Sequence, residues 1–172
     1  LYEGLPSMTS STFFNPDEEF INWIIERANG RLIIDIGCGN GLVLRKLHNA
    51  GHKKLMGFDP FTDMIEFNQK AIQECGERIH FMPLDVGSER FYNFVQPMVE
   101  SNNMNIMFLL CRPCHNGRLV DGAFKIAKEL GVELLYIGLE ENIDIDLGDM
   151  IPYTTLDHKG SSEDDEIVLK LG

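Results

Sequence analysis

Positive charge is what this chain has least of. Fifteen Lys and Arg residues stand against 27 Asp and Glu, a formal net charge of −12 at pH 7 with an isoelectric point near 4.7. A surface of that sign repels phosphate backbones, so the composition argues against direct binding of nucleic acid. Long apolar runs are missing too: nothing approaches the ~20 residues that cross a bilayer, which excludes a membrane-spanning helix. No secretory leader is legible at the front, where Leu1 rather than Met stands first. Cysteine is sparse, four in 172 residues with no regular framework, which predicts reduced thiols in the cytoplasm rather than a disulfide scaffold. No internal repeat or low-complexity block interrupts the chain, so solenoids and tails are excluded as well.

What is present is ordinary for one globular domain: 44% hydrophobic and 24% charged residues over 172 positions, enough for a real core. Its most informative stretch runs from Leu32 to Gly41, L-I-I-D-I-G-C-G-N-G. The apolar run Leu32, Ile33, Ile34 and Ile36 has the composition of a strand buried on both faces. Glycines at alternate positions follow, Gly37, Gly39 and Gly41, and then a helical pattern begins. Such glycines allow a sharp turn and bring bare N–H groups close to a ligand, while the helix start adds the positive end of its dipole. The dinucleotide fingerprint G-x-G-x-x-G would need glycine at position 42, where Leu42 stands.

The stretch resembles the first motif of the class I S-adenosylmethionine-dependent methyltransferases, an acidic residue followed by Gly-x-Gly-x-Gly. That resemblance implies S-adenosylmethionine as cofactor, with Asp35, Gly37, Gly39 and Gly41 around it. About twenty residues on, the second strand Lys54–Phe58 ends in Asp59-Pro60, where an acidic residue is placed to accept hydrogen bonds from ribose hydroxyls. The third strand, Ile79–Met82, leads to Asp85, which matches the family position that accepts from the adenine amine; a cap for the helix starting near Ser88 is its other reading. Phe61, Val86 and Cys111 complete the implied cofactor set. Phe13-Phe14-Asn15-Pro16 is similar to the motif that DNA amino-methyltransferases carry before the first strand, which would set Phe14 against the cofactor.

The remaining elements fall into place around these motifs. Residues 1–14 read as an irregular arm. Asn15 then caps a helix with Pro16 at its first position, ending at Asn29-Gly30. Further helices are expected over Leu42–Ala50, Thr62–Glu74, from Ser88 onward with Pro97 inside, and over Gly122–Lys128. Strands are expected over Asn105–Leu110 and Val132–Leu139, with Tyr153–Leu156 and Glu166–Leu171 as a closing antiparallel pair around an acidic loop, residues 157–166. The fold class is α/β: a single doubly wound, mostly parallel Rossmann-like sheet with helices on both faces.

After the fourth strand comes Cys111-Arg112-Pro113-Cys114-His115. It matches the haem-attachment spacing C-x-x-C-H, offers three ligands toward zinc, and its Pro-Cys pair resembles the nucleophile motif of cytosine-ring methyltransferases. Aligned instead with the Asn-Pro-Pro-Tyr of amine methyltransferases, Arg112 replaces an acceptor by a group with donors only. Arg112 suits a carboxylate or phosphate, held by a bidentate fork, and His115 suits a base near neutrality. Arg112, Cys114 and His115 are therefore the candidate catalytic residues, beside the reading in which this turn meets the cofactor by backbone alone. The expected function is methyl transfer to a small or protein-borne acceptor, without nucleic acid, membrane or metal. The alternative is a cofactor-binding regulatory subunit without catalysis.

Overall fold

The structure is a computed structural model, and it describes residues 16–102, 105–111, 117–139, 150–152 and 166–171. Parallel pairing of hydrophobic runs builds its centre. Strands β1 (Leu32–Ile36), β2 (Leu55–Phe58), β3 (His80–Met82), β4 (Ile106–Cys111) and β5 (Glu133–Leu139) lie parallel in the order β3-β2-β1-β4-β5. Strand β7 (Glu166–Leu171) adds antiparallel to β5, and β6 (Met150–Pro152) pairs antiparallel with β7 at the edge. The expected strand over Tyr153–Leu156 lies outside the described residues, as do the 1–14 arm and nearly all of the 157–166 loop.

The pleat sends alternate residues to opposite faces, and each face has its own core. Ile34, Ile36, Phe108, Leu110 and Tyr136 pack with α4 (Glu89–Asn102) and α5 (Gly117–Leu130). Ile33, Met107, Leu109 and Leu135 pack with α1 (Glu18–Ala28), α2 (Leu42–Asn49) and α3 (Met64–Cys75). Burial on both faces is why the strands read as continuous apolar runs rather than alternating ones.

Helix boundaries follow cap chemistry, with one correction to the sequence reading. Helix α1 is capped by Asp17, whose Oδ1 accepts from the Phe20 amide at 2.9 Å, and not by Asn15. Asp supplies the same short oxygen acceptor and adds a full charge at the positive end of the dipole. At the other end Asn29 adopts φ 50° and returns its amide to the Ile25 carbonyl, the stop that Asn29-Gly30 announces. Helix α5 is longer than expected, starting at Gly117.

In this strand order the chain reverses direction between β1 and β4, and the carboxyl ends of β1, β2, β3 and β4 gather at that switch point. Phe108, fully buried on the central strand β4, anchors the face beneath α4 and α5. Phe108→Ala should lower the unfolding free energy by about 3–5 kcal/mol in urea titration, through lost transfer energy and an unfilled cavity. A loss below about 1 kcal/mol would contradict the packing described.

Candidate functional site

The site starts with backbone geometry. Gly37, Gly39 and Gly41 all adopt positive φ (69°, 56° and 87°), which L side chains rarely tolerate. Their surroundings differ. A Cβ on Gly37 would fall 2.9 Å from Leu119 Cδ2, and one on Gly41 would fall 2.5 Å from Phe67 Cε2. A Cβ on Gly39 would meet nothing within 4 Å. Two of the glycines thus serve close packing, Gly41 on a Phe67 ring that itself stacks on Phe81, while Gly39 alone opens onto free space.

Asp59 organises this loop. It is buried at the end of β2, and its Oδ2 accepts from the Gly39 amide at 2.9 Å while Oδ1 accepts from the Phe61 amide at 2.8 Å. The loop's first turn is fixed to the same strand, with the Gly37 and Cys38 amides both donating to the Phe58 carbonyl. Two further ties were not read from the sequence. Thr62 Oγ1 donates to the Gly39 carbonyl at 2.9 Å, and Arg45 Nη1 donates to the Asn40 carbonyl at 2.5 Å. A threonine just past an Asp-Pro turn gives no signal of such a role. Arg45 did give one, as a cation in the first turn of a helix, where the dipole disfavours it.

Asp35 lies one residue inside the strand end and is 3% exposed. Burial, and secondarily the Asp59 charge, push its carboxyl up to about 8. Burial likewise raises the Cys38 thiol well above its ordinary range, reinforced by Asp35 and Asp59, which makes it an inert group. Asp85, half-buried beyond β3, accepts from the Gly87 amide at 3.0 Å. The cap of α4 is Ser88, whose Oγ accepts from the Phe91 amide, so Asp85 is not that cap. Helix α3 is capped by Asp63.

The other expected residues divide as follows. Phe61 is exposed at the rim beside Asp59. The Val86 side chain is buried in the core, which leaves only its backbone to meet a ligand. Cys111 ends β4, half-buried opposite Ile137. Phe14, Arg112, Cys114 and His115 lie outside the described residues.

A doubly wound domain with a glycine loop and a buried carboxylate at the ends of adjacent parallel strands belongs to the nucleoside-binding class of α/β proteins. The family model of the methyltransferase domain matches residues 33–113, the segment from β1 through the end of β4. Over that segment, a little under half of the chain, the sequence is similar to the methyltransferase domain, which agrees with the resemblance carried by the glycine loop. The chain is 36% identical over 64 residues to a tRNA U34 carboxymethyltransferase of Pseudoalteromonas translucida, covering 36% of this chain and 20% of that protein. It is 26% identical over 116 residues to the Vibrio cholerae protein of the same name, covering 64% of this chain and 33% of the relative. The matched region thus spans a third or less of these curated relatives. Among solved structures, the magnesium protoporphyrin IX methyltransferase of Synechocystis PCC 6803 with bound SAM shares the fold, with a TM-score of 0.56 at 16% identity over 89% of this chain and 76% of that one.

These relatives correct one expectation. Acidic composition argued against nucleic acid, yet the relatives are named for a tRNA substrate. Net charge is an average over the whole surface, whereas phosphates are met by the few cations at one contact. No helix among the described residues is long and apolar enough to cross a membrane.

The Asp35 carboxyl makes a pH prediction. Its value is 3.8 unperturbed and about 8 in the folded protein, so between those limits the native state holds the extra proton. Stability then falls as pH rises through this window and levels off above it. Asp35→Asn removes that titration, and the ligand-free variant should lose less Tm between pH 5 and pH 8 than the wild type in scanning calorimetry. Parallel curves for the two proteins would assign the titration elsewhere.

Proposed function

We propose that this chain binds S-adenosylmethionine at the glycine loop and transfers its methyl group to an RNA acceptor of the tRNA class. The observation that carries the reading is the Asp59 carboxylate bridging Gly39 and Phe61 beside the open face of Gly39. The residues fit the cofactor. Each Asp59 oxygen accepts one backbone amide, and a carboxylate has about four acceptor sites, so capacity remains for two ribose hydroxyls. Gly39, without a side chain, lets the backbone approach the methionine half. Phe61 offers an exposed ring at the rim, and Asp85 a half-buried carboxylate toward the adenine end.

Bound there, the cofactor supplies a methyl group already activated on a sulfonium. The work left to the chain is alignment: Asp59 and the loop hold the donor, so that an acceptor arriving in line needs little covalent help. Arg112, Cys114 and His115 follow β4 directly in the sequence and are the proposed acceptor-facing residues. An Arg fork suits an RNA phosphate, and a neutral imidazole suits removal of a proton from the acceptor. The RNA acceptor is supported by the names of the curated relatives, and that substrate implies a cytoplasmic protein.

Two measurements test this. Labelled S-adenosylmethionine incubated with the protein and bulk tRNA should label the RNA and release S-adenosylhomocysteine. Label appearing only in protein or small acids would reject the acceptor, and no turnover on any pool would leave a binding module. Gly39→Val meets no neighbouring side chain but puts a branched residue at φ 56°, so it should lose some Tm while still folding, and it should fail to gain Tm from S-adenosylhomocysteine. The wild type should gain about 2.7 kcal/mol at a hundredfold excess over Kd. An unchanged ligand-induced shift in the variant would refute the cradle role.

A further inference from the structure

We propose that Arg45 is a positioning residue for the cofactor site, holding the Asn40 carbonyl so that the glycine loop is set in its binding geometry before ligand arrives. This rests on the reading of the loop as the S-adenosylmethionine cradle.

The location of Arg45 is unfavourable on two counts, the helix dipole and burial. It is the fourth residue of α2, in a first turn that contains no acidic residue, where the helix dipole opposes a cation. It is also only 5% exposed, and a buried guanidinium is costly unless well paired. Its carboxylate partner Glu74 is itself 46% exposed on the side chain, and Nε lies 3.1 Å from Oε1 without hydrogen-bond alignment. A leucine or methionine would fill the same volume without these penalties. Positions that break local rules in this way are expected at functional sites.

What Arg45 does there is reach back. Helical side chains lean toward the amino end, so an arginine at this position meets the carbonyl five residues earlier, and Nη1 sits 2.5 Å from Asn40 O. The loop needs such a tie. Its glycines have no side chains of their own to restrict them, and a glycine segment loses more conformational freedom on ordering than any other. Gly39 is held on its amide by Asp59 and on its carbonyl by Thr62. The next peptide, Asn40–Gly41, is held by Arg45. A trans peptide is planar, so fixing its carbonyl also fixes the amide of the following residue on the opposite side. Thr62 thereby orients the Asn40 amide, and Arg45 the Gly41 amide, which donates to Cys38 O at 3.0 Å. Ordering this segment in advance removes an entropy cost from ligand binding. Glu74 acts through Arg45, anchoring the guanidinium to α3.

The test compares Arg45→Met, which keeps the stem and loses the donors, with Arg45→Lys, which keeps the charge. Arg31→Met is the control: Arg31 is another poorly exposed arginine, paired with Glu133 at the opposite end of the sheet. Calorimetric titration with S-adenosylhomocysteine and amide exchange of the ligand-free loop are the readouts. Arg45→Met should bind about tenfold or more weakly, the equivalent of one charge-assisted hydrogen bond, with faster exchange at Gly41. Arg45→Lys should recover part of both losses. Arg31→Met should lose Tm and keep its affinity.

Wild-type affinity in Arg45→Met, or an equal loss in Arg31→Met at matched loss of Tm, would overturn the proposal. Should Arg45→Met fail to fold, Arg45→Lys decides, and unaltered affinity with unaltered Gly41 exchange overturns it. Wild-type protein that binds no S-adenosylhomocysteine would overturn the cofactor reading itself, and this inference with it.

Discussion

One carboxylate joins the two halves of the site. Asp59 stands at the end of β2 and reaches sideways to the Gly39 amide of the β1 loop and forward to the Phe61 amide of its own. Thr62 on the Gly39 carbonyl and the Gly37 and Cys38 amides on the Phe58 carbonyl tie the same segments, but Asp59 alone of these groups grips an amide of each loop. A charged acceptor for two buried amides is among the stronger hydrogen-bonding arrangements available to a backbone. It also lends its negative charge to the place where ribose hydroxyls would donate. The same group therefore builds the loop and serves it, which makes a clean separation of structural from functional loss at Asp59 impossible by truncation. Gly39, where an added side chain would meet no neighbour, is the better probe, provided the strain of its φ of 56° is read separately as lost Tm.

The central fold was legible because its strands are buried on both faces. Ile33, Ile34 and Ile36, or Ile106 through Leu110, admit no helix-like alternation, and the glycine loop sets the phase of everything after it. Cap positions were less legible where two acceptors stand close together, as with Asn15 and Asp17, because either chemistry satisfies the first free amides. Within the site, the residues found from sequence are those whose type alone carries the signal, glycine at a turn and aspartate at a strand end. Thr62 and Arg45 act on carbonyls of glycine-loop residues 23 and 5 positions away, and that geometry has no periodicity to betray it. The charge argument failed for a different reason. It treated −12 as a property of every part of the surface, and the relatives, named for a tRNA substrate, point the other way.

The three glycines show how a motif conflates distinct physical demands. Gly41 is required by the rigid Phe67 ring, and Gly37 by its positive φ more than by Leu119, whose terminal methyl could move aside, so both serve the turn even in a protein that bound nothing. The helix that α2 forms immediately after Gly41 needs that tight turn to lie against β2 and α3, and Gly57 on β2 extends the same requirement, since a Cβ there would strike Cys38 and Leu44 at 2.7 Å. Only Gly39 lacks a packing reason. Gly30, Gly51, Gly76 and Gly131 share its positive φ and open side, so what sets Gly39 apart is its place at the strand ends, bonded to Asp59.

Two acids, Asp35 and Asp59, are buried within this small volume. Asp59 accepts from two backbone amides, whereas Asp35 is pushed toward the neutral form by burial and, secondarily, by the Asp59 charge. A carboxyl that titrates near 8 lowers stability at neutral and higher pH relative to an isosteric amide, because the unfolded chain ionises it freely. Selection for stability alone would replace it. A cationic ligand nearby changes the balance, since a positive charge favours the ionised form and returns part of the desolvation penalty as binding. The sulfonium cofactor proposed for this site carries such a charge.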